Sequence, residues 1–456
     1  MVVFDEASQL PIESSLAAMF RAKRVVVSGD EKQMPPTNFF YSRLEVDEEE
    51  TSDDWLESDD DDLDETTRRQ REEAANRKEV KDCTDLLELA KTFLPVATLE
   101  IHYRSKYREL VAFSNSAFYA GQLNVPARHP VSEIRRVRPI EVIRTDTEYA
   151  SQTNPGEARR VVEFLEEIWV GSQAEERPSL GVVTFNLKQA DLIQDTIEER
   201  AEESPEFRVA LEQEQRRTQG GEDMSFFVKN LENVQGDERD WIVFSTTFGP
   251  DARGSFRRTF GVVGHHGGER RLNVAVTRAR DKVVLVTSMP VTQISSFLSA
   301  RRSPQQARDF LQAYLDYAEK LSRGQLHLAE GALLALGPNS NGHRAVNEAA
   351  NGRFRDEVRE FIASRGFDPV PGTDADAFAL DFAIEDPRTG LFGVGIECDP
   401  PTHPLLDAAR ARELWRPRVL KSAVPHVHRV WSRAWYHGRQ VEQRHLLNAI
   451  ELALGG

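Results

Sequence analysis

Residues 233–280 constrain this chain more than any other stretch. Val234-Gln235-Gly236-Asp237-Glu238-Arg239-Asp240 precedes the apolar run Trp241-Ile242-Val243-Phe244, and Leu272-Asn273-Val274-Ala275-Val276-Thr277-Arg278-Ala279-Arg280 follows. An apolar run without alternation reads as a strand buried on both faces. A loop bearing a glycine and carboxylates precedes it, and a helix with two arginines follows. Phosphoryl transfer from a nucleotide needs such parts: a close backbone approach at Gly236, an acid near the ribose or metal, and a guanidinium for developing phosphate charge. An ordinary strand–loop–helix unit with solvated charges would account for either half alone.

The flanking sequence repeats the alternation of strand and helix. Residues 139–144, 181–185 and 283–287 read as strands, and 107–119 and 156–169 as helices. Asn186 can cap a helix running to Arg200. Residues 202–223 are polar and read as a loop or surface helix. Strands alternating with helices imply an α/β fold with a parallel sheet covered on both sides.

A second constellation lies near the start. The apolar residues 1–4 end in Asp5-Glu6-Ala7-Ser8-Gln9, and Val25-Val26-Val27 leads to Ser28-Gly29-Asp30 and Gln33-Met34-Pro35-Pro36. Ligands of open α/β sheets sit beyond the carboxyl ends of strands. Asp5 suits a magnesium ion, Glu6 the polarisation of an attacking water, and Gln33 the sensing of a terminal phosphate or that water. A solvated strand end and a surface glutamine are the plainer alternatives.

Taken as a set, DEASQ, GDEKQMPP, VQGDERD and VAVTRAR resemble the motifs of superfamily 1 helicases, in the branch that includes the nonsense-mediated-decay helicases. The resemblance implies two RecA-like domains of the P-loop NTPase kind, ATP and Mg2+ as cofactors, and DNA, single-stranded or duplex, as partner, with RNA as the alternative. Residues 99–105 would open the second domain, with Arg104 similar to the arginine that reaches the γ-phosphate. Gln235, Gly236 and Glu238 would line the nucleotide, Arg278 would be the arginine finger, and Arg280 would be structural. The phosphate-gripping pattern GxxxxGK[ST] occurs nowhere in the 456 residues. The expectation is therefore a downstream portion of a longer helicase, with an incomplete first RecA-like domain. Alone it should bind ATP poorly, and a partner protein would supply the missing loop.

The net charge of −17 argues against nucleic acid only at first sight. Residues 45–65 hold 14 acidic side chains and no basic one, and the remainder is close to neutral. Binding would then depend on local basic faces. Such a block of like charge predicts disorder, as an insertion or as an acidic mimic of nucleic acid. Two cysteines, Cys83 and Cys398, exclude a disulfide framework and fit a reducing cytoplasm. No run of residues is long and apolar enough for a membrane span.

Beyond residue 344 a separate unit is expected. Phe354, Val358, Phe361 and Ile362 share one helix face that Gly366 ends. Residues 378–384 and 394–399 alternate, with turn chemistry at 387–390, and predict a hairpin. A period of two places Glu397 and Asp399 on one face. With Asp381, they form a carboxylate set able to bind magnesium and activate water against a phosphodiester. Asp381, Glu397, Asp399 and then His403, with Arg410, Arg412 and Arg416 behind, resemble the restriction-endonuclease-like fold of the very-short-patch repair nucleases. That family would make these four residues catalytic and the carboxylates metal ligands. Pro400 and Pro417 depart from its pattern.

The expected organisation is a partial first domain (1–95, with the acidic insertion in 45–80), a second RecA-like domain (96–290), a helical linker (291–344) and a nuclease-like α/β domain (345–456). The leading functional expectation is part of an ATP-dependent DNA helicase with a nuclease-like domain, in DNA processing or defence. An ATP-independent, magnesium-dependent endonuclease and a non-catalytic binding subunit are the alternatives.

Overall fold

The computed structural model describes residues 1–35, 83–264, 267–300, 302–336, 348–372 and 376–455. The acidic block 45–65 lies outside them. The described residues divide into two compact units, Met1–Leu99 and Glu100–Gly456.

In the first unit, Val2–Phe4 and Val25–Val27 pair in parallel, Val3 opposite Val26. Helices Ile12–Met19 and Leu86–Phe93 accompany them. Asp85 caps the second helix by accepting the Glu88 N–H at 2.9 Å. Val3 and Val26 remain 56% and 46% exposed.

The second unit is built on a five-stranded sheet in the order Ile140–Arg144, Ala279–Thr287, Arg239–Ser245, Leu180–Thr184, Phe227–Asn230. Every neighbouring pair is parallel, as the apolar runs require. Leu180–Thr184 is buried throughout, and helices Pro155–Gly171 and Leu187–Glu203 cover the sheet. The 202–223 segment contains a helix, Pro205–Glu214, that buries Phe207, Ala210 and Leu211. Its Phe207 ring lies 5.4 Å from that of Trp169.

Two expectations are corrected. The helix Gly268–Val276 ends before both arginines, and Arg280 belongs to the Ala279–Thr287 strand. Pairing with Arg239–Ser245 begins at Ala279, so the sheet claims residues that local propensity leaves in the helix. The 291–344 segment is also no mere linker. Helix Ala307–Ser322 buries Leu311, Tyr314, Leu315, Tyr317 and Leu321, and its Ser322 hydroxyl accepts the Val142 N–H at 3.0 Å.

The last part holds a four-stranded sheet in the order Val370–Pro371, Phe382–Asp386, Leu391–Cys398, His426–Val430. The first two pairings are antiparallel and the third is parallel. The expected hairpin is present, turning through Gly390 at φ +69°. Phe354, Val358 and Ile362 pack with Trp435, Leu446 and Ile450 on one side of this sheet. Phe378, Leu380, Leu406 and Leu420 form a second cluster, which Ile101 joins.

Candidate functional site

The candidate residues of 100–290 gather at the amino ends of two adjacent strands. Glu238 immediately precedes Arg239–Ser245, and Arg278 immediately precedes Ala279–Thr287. The strands are parallel, with Arg239 opposite Ala279. Both preceding segments therefore emerge on one edge of the sheet. The Lys106 N–H donates to the Arg280 carbonyl at 2.8 Å and brings the 104–106 segment to that edge.

Glu238 is the hub. Its Oε1 lies 2.7 Å from Arg104 Nη1 and its Oε2 lies 3.5 Å from Arg280 Nε. Arg280, expected to be structural, thus belongs to the cluster. Gly236 turns the loop at φ +87°, with open space where a Cβ would stand, so its constraint is conformational. Asp237 pins the loop through Lys229 Nζ at 2.6 Å. Gln235 is half-buried beside it. Arg278 is only 4% exposed and donates from Nε to the Val274 carbonyl at 2.7 Å. That bond places a cation at the last turn of the preceding helix, Gly268–Val276, where free carbonyls attract one.

His102 stands within the field of Arg104 and Arg278 without a motif of its own. Its Nε2 lies 2.8 Å from Ser105 Oγ. Burial, with the charges of Arg104 and Arg278, lowers its pKa to about 4, and the ring is neutral at pH 7. Its one sequence signal is its place two residues before Arg104.

In the smaller unit, Asp5 and Glu6 stand exposed at the carboxyl end of Val2–Phe4. Glu6 adopts a left-handed conformation, φ +52°, and its N–H donates to Asp5 Oδ1 at 3.0 Å. The Ala7 N–H donates to the Ser28 carbonyl at 2.9 Å, and the Ser28 N–H to the Phe4 carbonyl at 2.8 Å. This joins the two strand ends. Gln33 Nε2 donates to Asp30 Oδ2 at 3.2 Å.

The carboxylates after residue 380 are arranged differently from expectation. Glu397 is buried, with Arg416 Nη1 on Oε1 and Arg429 Nε 3.0 Å from Oε2. Asp381 stands just before its strand. Its Oδ2 accepts the Cys398 N–H at 2.6 Å, and its Oδ1 lies 2.7 Å from Arg355 Nε. Burial raises its pKa despite these partners. Asp399 leaves the strand at φ +65° and accepts the Ser432 N–H at 2.8 Å, at the start of helix Ser432–His437. The period of two stops at Cys398, so Asp399 does not share the face of Glu397. His403 Nδ1 accepts the Leu405 N–H at 3.2 Å and caps a short turn.

Residues 85–290 match the AAA domain model AAA_12, and residues 354–450 match the model REase_MTES_1575. The chain joins a helicase-like domain to a nuclease-like one. It is 33% identical over 325 residues to an uncharacterized ATP-dependent helicase of Mycoplasma genitalium, MG140, and equally to the MG140 homolog of Mycoplasma pneumoniae. These alignments cover 71% of this chain and 26% of each relative. The chain therefore spans about a quarter of the length of the curated relatives it matches. Among solved structures, the C-terminal domain of a possible DNA helicase from Lactobacillus plantarum WCFS1 covers 41% of this chain and 90% of that one, at 15% identity and TM-score 0.24. Among the described residues, no helix is long and apolar enough to cross a membrane.

A helicase-like domain implies a nucleotide, and the donor set at the sheet edge fits its phosphates. Arg104 and Arg280 face two carboxylates, Glu238 and Glu222, the latter 3.1 Å from Arg280 Nη2, and the buried Arg278, whose charge reaches His102 together with that of Arg104, adds the cation in excess that suits a polyphosphate. Asp5 offers the oxygen ligands that magnesium prefers. The nuclease-like domain does not fit a divalent metal. Both oxygens of Glu397 are engaged by guanidiniums and Asp399 faces a helix terminus. Among the described residues, no group of three or more His, Cys, Asp or Glu side chains is placed to hold a metal ion.

Proposed function

We propose that this chain is the downstream portion of a superfamily 1 DNA helicase of the nonsense-mediated-decay-helicase-like branch, acting in the cytoplasm in DNA processing or defence. The clustering of Arg104 and Arg280 on Glu238 beside Arg278 carries the reading. A bound ATP–Mg2+ supplies the phosphoryl group and part of its charge neutralisation. Arg104 and Arg278 would stabilise charge developing on the terminal phosphate, and Gly236 would let the backbone of the Gln235–Glu238 loop approach the nucleotide. Glu238 bridges Arg104 and Arg280 and fixes the position of both guanidiniums. In the smaller unit, Asp5 would hold the metal, and Glu6 and Gln33 would orient the attacking water. A phosphate-gripping loop, which these residues do not contain, is assigned to another segment or to a partner protein.

Anisotropy of a fluorescent ATP analogue tests this. Arg104→Ala should weaken binding about tenfold, the scale of a lost charge-assisted phosphate contact. The chain alone should bind weakly, so the titration runs to millimolar analogue, and equal, measurable affinity in wild type and variant would overturn the reading. The arrangement at Glu397 disfavours the ATP-independent, magnesium-dependent endonuclease alternative.

A further inference from the structure

We infer that the carboxylate centre of the nuclease-like domain is a docking joint rather than a metal site, with the Arg416 guanidinium as its central cation. Arg416 is 1% exposed at its side chain. Besides Glu397, it donates from Nε to the Ala377 carbonyl at 2.5 Å and from Nη2 to the Ala379 carbonyl at 2.6 Å. Each face of the guanidinium fork thus meets a fixed acceptor, as a buried arginine requires. Arg429 and Arg355 bring two further positive charges to Glu397 and Asp381. A divalent cation entering there would meet three guanidiniums and would have to displace Arg416 from its carboxylate and both carbonyls.

The segment that Arg416 grips also meets the helicase-like domain. Asp376 pairs with Arg108, and its Oδ1 lies 3.2 Å from Arg128 Nη2. The neighbouring Ala377 N–H donates to Asn124 Oδ1 at 2.8 Å. A continuous path therefore runs from Glu397 through Arg416 and residues 376–379 to Asn124, Arg108 and Arg128. Asn124 is in turn held by its own domain, its N–H donating to the Glu100 carbonyl at 2.6 Å. In this arrangement Glu397 orients Arg416, Arg416 shapes the 376–379 segment, and that segment locks the two domains together. The acid that a cleaving nuclease would commit to metal is committed here to docking. The inference does not depend on the nucleotide reading of the sheet edge.

Two measurements on the full chain, made without nucleotide, test it. Manganese titration followed by electron paramagnetic resonance should give the same bound fraction for wild type and Glu397→Gln. Manganese bound by wild type and lost in Glu397→Gln or Asp381→Asn would overturn the inference. Hydrogen exchange reports the joint. Asp376→Asn, which changes a side chain bonded to Arg108, Arg128 and the Phe378 N–H rather than to Glu397 or Arg416, should speed exchange of the Ala377 amide at least tenfold while protection of Leu391–Cys398 stays as in wild type. Arg416→Lys should speed exchange across 377–379 in the same way. Unchanged exchange at Ala377 in Asp376→Asn would also overturn the inference, and that variant keeps both Glu397 and Arg416.

Discussion

Arg104 Nη1 lies 2.7 Å from Glu238 Oε1, although the two residues are far apart in the chain. The pair closes because the segment after Glu100 is hydrogen-bonded to the Arg280 carbonyl, and Arg280 starts the strand beside the one that Glu238 precedes. Arg104 is 43% exposed at its side chain, so its ion pair is worth little to stability. Arg104→Ala should shift the urea-unfolding free energy by no more than about 1 kcal/mol, while the nucleotide affinity falls. A large loss of stability with unchanged affinity would assign Arg104 a structural role instead.

Gly236 holds φ +87° with nothing near its absent Cβ. Gly236→Ala should cost about 1–2 kcal/mol in urea unfolding, from left-handed backbone strain alone. Gly236→Asn should cost less, because asparagine tolerates that region. Equal costs for the two would point to lost space rather than to conformation.

Glu157 is wholly buried under the carboxyl ends of the central strands. It accepts the Ser245 hydroxyl and the Thr247 and Ser288 N–H groups, each at 2.7 Å. Burial outweighs these bonds and raises its pKa to about 7. A carboxyl raised in the folded state contributes stability that is fully present below the unfolded pKa and lost as pH rises through the folded one. Its contribution should therefore decline between about pH 4.5 and 7 and level off above, by on the order of 3 kcal/mol at most. Glu157→Gln should flatten that slope. It should also cost about 1–3 kcal/mol at pH 7, because an amide turns a donor toward a donor. Denaturant melts of both proteins across this pH range check both outcomes.

His102 should stay neutral well below the usual histidine range, since burial and then Arg104 and Arg278 hold its pKa near 4. A histidine depressed in the folded state contributes stability that is lost as pH falls from about 6.5 toward 4. Proton NMR of the ring through that window should give a midpoint near 4 in wild type and a higher one in Arg104→Ala. A midpoint near 6.5 in wild type would contradict the placement.

Arg416→Met should be among the most damaging single changes in the nuclease-like domain. It strands Glu397 and two carbonyls, a loss of about 3–5 kcal/mol. Arg429→Met should cost less, because Arg429 is less deeply buried and Glu397 keeps Arg416. Thermal or urea melts of the two variants rank them directly.

Much of the scaffold was legible in the residues themselves. The unbroken apolar runs at 181–185, 241–244 and 283–287 dictate strands buried on both faces, hence a parallel sheet with helical layers. Asn186 accepts the Gln189 N–H at 2.8 Å, as a cap at that position should. The hairpin around 387–390 and the apolar face of Phe354, Val358 and Ile362 follow from turn chemistry and from the 3.6-residue period. These are short-range properties, and each rests on a few neighbouring side chains.

The pairing of charges was decided only in three dimensions. Local pattern left Arg280 on a helix, but strand pairing placed it in the sheet and turned it onto Glu238. Alternation put Asp399 beside Glu397, yet a left-handed residue at the strand end sent it to the Ser432 N–H instead. The sequence could nominate Glu397 as a metal ligand because it shows which residues carry charge. It could not show that Arg416 and Arg429 occupy both oxygens, because a buried ion pair depends on register and on what the surrounding packing excludes from water.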